Sequence, residues 1–144
     1  MQPPMAALLI PSRLIGNRLV ISAQLPKKDN RLMYKGRLGR DIDLGTGQLA
    51  AELCALNILS CAKQALDDDL SRIEAIVSVR GYVNTTPDFH QIAEVLNGAS
   101  SLFLEVFGPK IGAHCRAAIG ASNMPFNASV EVEAEFYVVE NCIK

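Results

Sequence analysis

The sequence lacks the patterns by which membrane proteins, secreted proteins and nucleic-acid-binding proteins are most readily recognised. No apolar run approaches the ~20 residues that a membrane-spanning helix needs. Met1–Met5 carries no basic region ahead of its short apolar run and is a poor match to a signal peptide. The net charge is −1, and the one basic cluster is most simply a solvated strand edge: Arg31, Lys35, Arg37 and Arg40. These absences argue against a membrane protein and against a basic surface for nucleic acid.

The cysteines form no metal-binding pattern either. The chain has four cysteines: Cys54, Cys61, Cys115 and Cys142. No two of them form a Cys-x-x-Cys pair, and neither His90 nor His114 has a metal-ligand spacing to any of them. Cys54 and Cys61 fall on a predicted helix and should share one face as small hydrophobic residues. The consecutive aspartates Asp67–Asp69 diverge in direction, which favours a solvated turn over a calcium loop. We expect reduced thiols in a cytoplasmic protein, with no metal and no cofactor motif.

The composition that is present is that of a globular protein. The chain has 144 residues, of which 49% are hydrophobic and 20% are charged. It is therefore long enough to bury a core and too apolar to be disordered. No internal repeat, low-complexity segment or compositional break divides it. We predict an N-terminal extension over residues 1–12 and a single domain over residues 13–144.

The first half of the chain predicts a β-hairpin followed by a helix. Branched residues make Leu14–Ala23 a strand, and a turn separates it from a shorter strand over Arg31–Gly36. Helical spacing of apolar residues covers residues 47–66, with Asp43 or Thr46 as the candidate cap. The predicted stripe of this helix consists mainly of leucines, with Lys63 at the same spacing and alanines in the gaps: Leu49, Leu53, Leu56, Leu59, Lys63 and Leu66.

The second half predicts a strand, a helix and another hairpin. The strand Ile73–Asn84 alternates, with one set of residues on one face: Ala75, Val77, Val79, Gly81 and Val83. The second helix covers Phe89–Phe107 and is stopped by Gly108–Pro109. Two further strands, His114–Ala121 and Ser129–Val138, flank a turn that contains Pro and Asn, which is typical of a hairpin with a long loop.

The element order ββαβαββ indicates an α+β fold in which both helices pack on one face of a mixed sheet. On the last strand, alternate apolar residues can serve the core: Val130, Val132, Ala134, Phe136 and Val138. Glu131, Glu133 and Glu135 then occupy the opposite face, together with Arg80 of the middle strand. A sheet face of such mixed polarity suggests a subunit interface, in which Arg80 pairs with one or more of these glutamates.

Arg116 and Glu131 are the candidate functional residues. Arg116 interrupts a run of small, apolar residues, and Glu131 opens the acidic side of the last strand. A fixed guanidinium near a carboxylate can hold a small carboxylate substrate and direct a water molecule at it. The structural alternative is a salt bridge from Arg116 to Glu131 or Glu133. Cys115 is either a further contact of this site or a packed strand residue.

Several segments, in this order, resemble one known family. Gly16–Pro26 reads GNRLVISAQLP, which resembles the opening motif of the Rid proteins, also called the YjgF or L-PSP endoribonuclease-like family. Arg116, followed fifteen residues later by Glu131, is similar to the C-terminal signature of that family. Ile76–Asn84 with the following Pro87–Phe89 is similar to its middle strand and helix start, and LCALN at Leu53–Asn57 and VLNGAS at Val95–Ser100 resemble a less studied branch. The resemblance covers about residues 13 to 139.

The resemblance implies a chorismate-mutase-like fold and a homotrimer with clefts between its subunits. Characterised members hydrolyse reactive enamines and imines, such as 2-aminoacrylate, to a 2-keto acid and ammonia, without a metal or organic cofactor. By resemblance, Arg116 holds the substrate carboxylate and Glu131 positions or activates the attacking water. The backbone at Ala117 and Ala118 is implied to contact the imine nitrogen.

Three departures from the family pattern bear on the substrate. The segment Ala6–Ile10 has no tyrosine, Ala23 stands where the family has glycine, and Ala118 stands where a cysteine is often found. Ala23 and Cys115 are the candidate cleft-lining residues. The three departures make the lining of the cleft less polar, which favours a more apolar substrate. Two other functions stay open. One is a trimeric protein that binds or senses a keto acid or similar carboxylate without turnover. The other is an endoribonuclease, which the near-neutral charge and the lack of a basic, aromatic groove disfavour.

Overall fold

A computed structural model describes residues 8–140 of the chain. The expectations for Met1–Met5, for Ala6–Ala7 and for Cys142 lie outside the described residues. Within the described range the helices and strands are β1 (Ser12–Ile15), β2 (Arg18–Gln24), β3 (Lys27–Lys28), β4 (Arg31–Leu32), α1 (Leu44–Ala65), β5 (Ile73–Asn84), α2 (Ile92–Gly112), β6 (Cys115–Ala121) and β7 (Val130–Val138). Short 3-10 turns cover Leu70–Arg72 and Pro125–Asn127.

Five of the strands form one mixed sheet in the order β1-β2-β7-β5-β6. The pair β5–β6 is parallel and the other pairs are antiparallel. In the register of the three last strands, Val79 on β5 lies beside Arg116 on β6 and Ala134 on β7. Both helices pack on the same face of this sheet, as the shared core of α1, α2 and the strands shows. The predicted α+β architecture is confirmed.

The hairpin predicted from the last two strands is wrong. β5 lies between β6 and β7, so these two strands are not neighbours. A strand–turn–strand pattern specifies two strands but not the neighbour that each one takes. Here α2 supplies the long connection that a parallel pair requires, which places β6 beside β5. β7 is buried at every second residue and takes the central position.

The first predicted hairpin is also wrong. Its second strand shortens to β4, which pairs only with β3 in a separate two-stranded sheet. The actual hairpin joins β1 to β2 through Gly16 and Asn17. Gly16 has a φ of +58°, a left-handed conformation that glycine adopts without steric cost. β2 then pairs with β7 on its other side.

Helix α1 begins where the sequence indicates and buries a different stripe. The carboxylate of Asp43 accepts a hydrogen bond from the Thr46 backbone N–H at 2.8 Å, so Asp43 is the cap. The side of α1 that faces the sheet is made mostly of small residues: Ala50, Ala51, Cys54, Ala55, Ile58 and Ala62. Leu49 and Leu56, both in the predicted stripe, are 51% and 47% exposed. Small side chains allow α1 to approach the sheet closely, whereas leucines would hold it away.

The predicted alternation of β5 holds only for its second half. Val79 and Val83 are buried on the helix side, as expected. An irregularity in the pairing with β7 between Ile76 and Ser78 reverses the pattern before that point. Ile76 is therefore in the core, and Val77 is 41% exposed.

Helix α2 packs against both the sheet and α1 at glycines. The space above Gly81 of β5 is filled by the side chain of Leu96, and a methyl group on Gly98 would overlap the backbone carbonyl of Gln48 in α1. At Gly108 the backbone leaves the helical range, with φ 78° and ψ 171°, and Pro109 begins a last, separate turn. The predicted stop at Gly108–Pro109 is confirmed. Neither helix has an apolar stretch that could cross a membrane, within the described residues.

We expect Gly98→Ala to lower the free energy of unfolding by about 1–3 kcal/mol, because the added methyl group must push α1 and α2 apart. Gly45→Ala is the matched control, since nothing lies closer than 3.8 Å to a methyl group at that position of α1. The control should leave stability unchanged or slightly raised. Urea titrations of both variants measure the difference. Equal stability for the two variants would contradict the close approach of the helices at Gly98.

Candidate functional site

Arg116 lies on the edge strand of the sheet and is directed towards α2. Its position beside Val79 puts it on the helix side of the sheet. Its Nη1 donates hydrogen bonds to Oδ1 of Asn97 at 2.8 Å and to Oγ of Ser100 at 3.2 Å. Within the described residues, no carboxylate lies within ion-pair distance of Arg116. The structural alternative, a salt bridge from Arg116 to Glu131 or Glu133, is therefore not formed within the chain.

One edge of the Arg116 guanidinium is unused. Both Nη1 N–H groups point at protein acceptors, whereas Nε and Nη2 donate to none of the residues between 8 and 140. The side chain is exposed, so this edge is open to solvent. Nε–H and Nη2–H are parallel donors in one plane, which matches the two oxygens of a carboxylate. The geometry fits a bidentate contact at this edge of the guanidinium.

Glu131 lies on the opposite face of the sheet, on β7. Its neighbour across the strand pair is Tyr82 of β5. The side chain is half-buried, and burial raises the pKa of the Glu131 carboxyl above its ordinary value, with a further contribution from the like charge of Glu133. Tyr82 donates its hydroxyl to Glu133 at 3.2 Å, which leaves Glu131 without a donor from that ring. A carboxylate with a raised pKa is a stronger base than an exposed one.

The chain does not bring Arg116 and Glu131 together. They lie on opposite faces of the sheet, two strands apart, and three positions apart in register, since Arg116 is level with Val79 and Glu131 with Tyr82. Strand spacing alone separates them by roughly 10 Å. A site that uses both residues cannot be assembled within one copy of this chain.

The other candidate residues divide between these two regions. Ala117 and Ala118 follow Arg116 on β6, and Ala118 packs against the core beside Gly81. Cys115 is exposed on the face opposite to Arg116, level with Ser78. Ala23 lines a groove between β2 and α1, which it shares with Asn57 and Cys61. Because β2 is near one edge of the sheet and β6 forms the other edge, Ala23 lies far from Arg116 along the strand order.

Sequence reasoning missed the partners of Arg116. Asn97 and Ser100 are three positions apart on α2 and so share a helix face, which was visible in the sequence. What the sequence could not show is that this face overlies Arg116, because that depends on how far α2 continues before β6 begins. On the face of the sheet away from the helices (the far face), Glu135 forms an ion pair with Arg18 and not with Arg80. The distance from Nη2 of Arg18 to Oε1 of Glu135 is 2.6 Å. Arg18 holds the pKa of the Glu135 carboxyl below its ordinary value.

Comparison with known proteins agrees with this architecture. The model of the family described as YjgF/chorismate mutase-like, "putative endoribonuclease", matches residues 4–136. Protein TCP17 of Trypanosoma cruzi is 43% identical over 119 residues, which are 83% of this chain and 74% of that protein.

Two crystal structures show the same likeness in three dimensions. Atu1372 of Agrobacterium tumefaciens, described as of unknown function, is 42% identical with a TM-score of 0.88, over 91% of this chain and 83% of that chain. A "putative endoribonuclease" from Shewanella oneidensis MR-1 is 33% identical with a TM-score of 0.86, over 90% of this chain and 85% of that chain. On sequence and fold together, the chain belongs to the YjgF/chorismate mutase-like family.

Proposed function

We propose that this protein hydrolyses reactive 2-imino acids, and the enamines from which they form, to 2-keto acids and ammonia. The site is completed by Arg116 of one copy and Glu131 of a neighbouring copy in a homotrimer. The observation that carries the proposal is the open Nε/Nη2 edge of Arg116, which offers two parallel donors to a small carboxylate at the edge of the sheet.

The chemistry needs only binding and proton transfer. Arg116 holds the substrate carboxylate and so fixes the adjacent imine carbon. Glu131 takes a proton from water as the water oxygen bonds to that carbon, and the C=N electron pair moves to the protonated nitrogen. Glu131 then gives the proton that it took from water to the carbinolamine nitrogen. As the C–N bond breaks, it accepts the hydroxyl proton and passes that proton to the departing ammonia. One water is consumed, and one keto acid and one ammonia are released.

Association of copies is supported by the face of the sheet that the helices leave uncovered. Three large apolar side chains on this face are partly exposed: Val20 (39%), Ile119 (46%) and Tyr137 (42%). They alternate with the ion pair of Arg18 and Glu135. A face with this mixture fits contact with a second copy of the same chain. A neighbouring copy is also what the separation of Arg116 from Glu131 requires.

Binding of a keto acid or similar carboxylate without turnover is the second candidate. Ala118 and Ala23 supply no polar side chain, which leaves Arg116 as the main anchor and fewer groups for chemistry. The endoribonuclease activity in the family description has less support in this chain. The net charge is −1, and the far face carries Glu131, Glu133 and Glu135, which would repel a phosphate backbone.

One set of assays distinguishes the imine hydrolase from a protein that binds carboxylates without turnover. Freshly generated 2-imino acids are supplied to the wild type, Arg116→Ala and Glu131→Gln, and keto-acid release is followed. Glu131→Gln should lower kcat at least ~100-fold, because it removes the base. Arg116→Ala should raise KM roughly 10- to 100-fold, because it removes a charged pair of hydrogen bonds. Arg13→Ala, an exposed arginine on β1, is the control and should behave as wild type. If the folded wild-type protein does not accelerate the hydrolysis of any imino acid in the panel, enzymatic activity on these substrates is ruled out and binding without turnover is favoured.

A site shared between copies predicts complementation. Arg116→Ala and Glu131→Gln chains, each impaired alone through a raised KM or a lowered kcat, are unfolded together in equal amounts and refolded. About a quarter of the clefts then receive an intact Arg116 and an intact Glu131, because the two residues are drawn independently from neighbouring copies. The mixture should regain about a quarter of wild-type activity by this reasoning. Mixed oligomers with no recovered activity would contradict the shared cleft.

The acid limb of the pH profile of kcat/KM should reflect the raised pKa of Glu131. The base must be ionised, so activity falls as the pH falls through that pKa, and the fall begins at a higher pH than an exposed glutamate would give. Glu133→Gln removes a like charge and should move this acid limb to lower pH. Glu135→Gln is the control, since Glu135 does not contribute to the raised pKa of Glu131. An identical shift in both variants would contradict the assignment of the limb to Glu131.

A further inference from the structure

A histidine and a serine beside Arg116 form a hydrogen-bonded chain that the proposed reaction does not use. Nε2 of His114 lies 2.9 Å from Oγ of Ser100, and Nδ1 of His114 lies 2.6 Å from the carbonyl oxygen of Gly112. The same Ser100 hydroxyl accepts from Nη1 of Arg116 at 3.2 Å. These hydrogen bonds therefore link the carbonyl oxygen of Gly112, through His114 and Ser100, to the guanidinium of Arg116.

The local fold holds His114 in this place. The break at Gly108 lets the last turn of α2 fold back, and a methyl group on Gly112 would overlap the backbone of Phe103 and Leu104. The His114 ring packs edge-on against Phe103, with ring centres 6.0 Å apart and planes at 85°. Phe103 is fully buried, so one side of the ring rests on the core.

The hydrogen bonds of His114 fix its tautomer. A carbonyl oxygen can only accept, so the proton must be on Nδ1. In the neutral ring, Nε2 is then an acceptor, and the Ser100 hydroxyl donates its hydrogen to it. The lone pairs of Ser100 Oγ are thereby turned away from His114 and towards Nη1 of Arg116. The tautomer of His114 orients a hydroxyl that would otherwise rotate freely.

We propose that Ser100 and His114 are positioning residues for Arg116. Together with Asn97, they hold both Nη1 hydrogens and so keep the Nε/Nη2 edge of the guanidinium facing outwards for a carboxylate. The inference rests on the proposed function, because it assigns these residues to the carboxylate anchor of the same site. His114 acts through Ser100 and touches neither the substrate nor the reacting atoms.

The alternative is that these contacts only close the junction between α2 and β6. The arrangement around Ser100 favours the positioning role. A serine within a helix commonly bonds back to its own helix backbone, yet Ser100 points away from α2 to Arg116 and His114. Its neighbour Ser101 lies on another face, in the groove between α1 and α2. One of two adjacent serines is thus committed to an exposed arginine.

The first experiment measures the binding of pyruvate, a simple 2-keto acid, and the kcat and KM for its imine. Ser100→Ala should weaken binding and raise KM by roughly tenfold with little change in kcat, because it removes one acceptor of a charged group. Ser100→Thr, which keeps the hydroxyl, should restore most of the affinity. Ser101→Ala is the matched control and should bind as wild type. Equal affinity for Ser100→Ala and Ser101→Ala would overturn the proposal.

His114 is tested by its coupling to Ser100. His114→Phe keeps the packing against Phe103 and removes both ring nitrogens, and it should weaken pyruvate binding by about fivefold. In a Ser100→Ala background the same change should have no further effect, since His114 acts only through that hydroxyl. His90→Phe, at the exposed second histidine, is the control. Independent, multiplying losses in the double variant would overturn the role of His114.

A ligand-free measurement separates this inference from the proposed function. In 15N NMR of the wild type, rotation about the Cζ–Nη1 bond of Arg116 should be slow, and Ser100→Ala should speed it. His114→Phe provides the same comparison if Ser100→Ala does not fold. Faster rotation in the variants with no pyruvate binding by the wild type would refute the proposed function and keep the positioning role. Pyruvate binding by the wild type with unchanged rotation in the variants would refute the positioning role alone.

Discussion

The fold depends on the alternation along β7. Valine, alanine and phenylalanine at every second position of this strand are almost completely buried under the two helices. The intervening positions are Glu131, Glu133, Glu135 and Tyr137, so the same nine residues define both the core and the chemistry of the other face. Because side chains alternate strictly along a strand, a slip of one residue would bury three carboxylates. The position of β7 at the centre of the sheet then fixes β2 on one side and β5 on the other.

Features that depend on local chemistry could be predicted from the sequence. A cap at Asp43 or Thr46, the stop at Gly108 and the two faces of β7 follow from one residue and its neighbours. The structure has the stop and the two faces, and it selects Asp43 as the cap. The resemblance of Gly16–Pro26 and of Arg116 with Glu131 to a family motif was also sufficient to identify the family.

Features that depend on distant parts of the chain were not predictable in this way. The pairing of β6 with β5, the irregularity at Ile76 and the alanine-rich face of α1 each require knowledge of what lies opposite. The site follows the same division. The sequence singled out Arg116 and Glu131, but it could not show that they face opposite sides of one sheet. Nor could it show that Asn97 and Ser100 reach Arg116, since that contact depends on the length of α2.

The edge position of β6 has a consequence for solubility. An edge strand exposes unpaired backbone groups that another strand can join, and natural proteins commonly guard such edges with a charge. Along Cys115–Ala121 the only charged side chain is Arg116, within a run of small and apolar residues. Arg116 is therefore also the gatekeeper against edge-to-edge aggregation of this strand. A neutral residue in its place leaves a bare β-edge, so the colloidal behaviour of such a variant has to be known before its kinetics are interpreted.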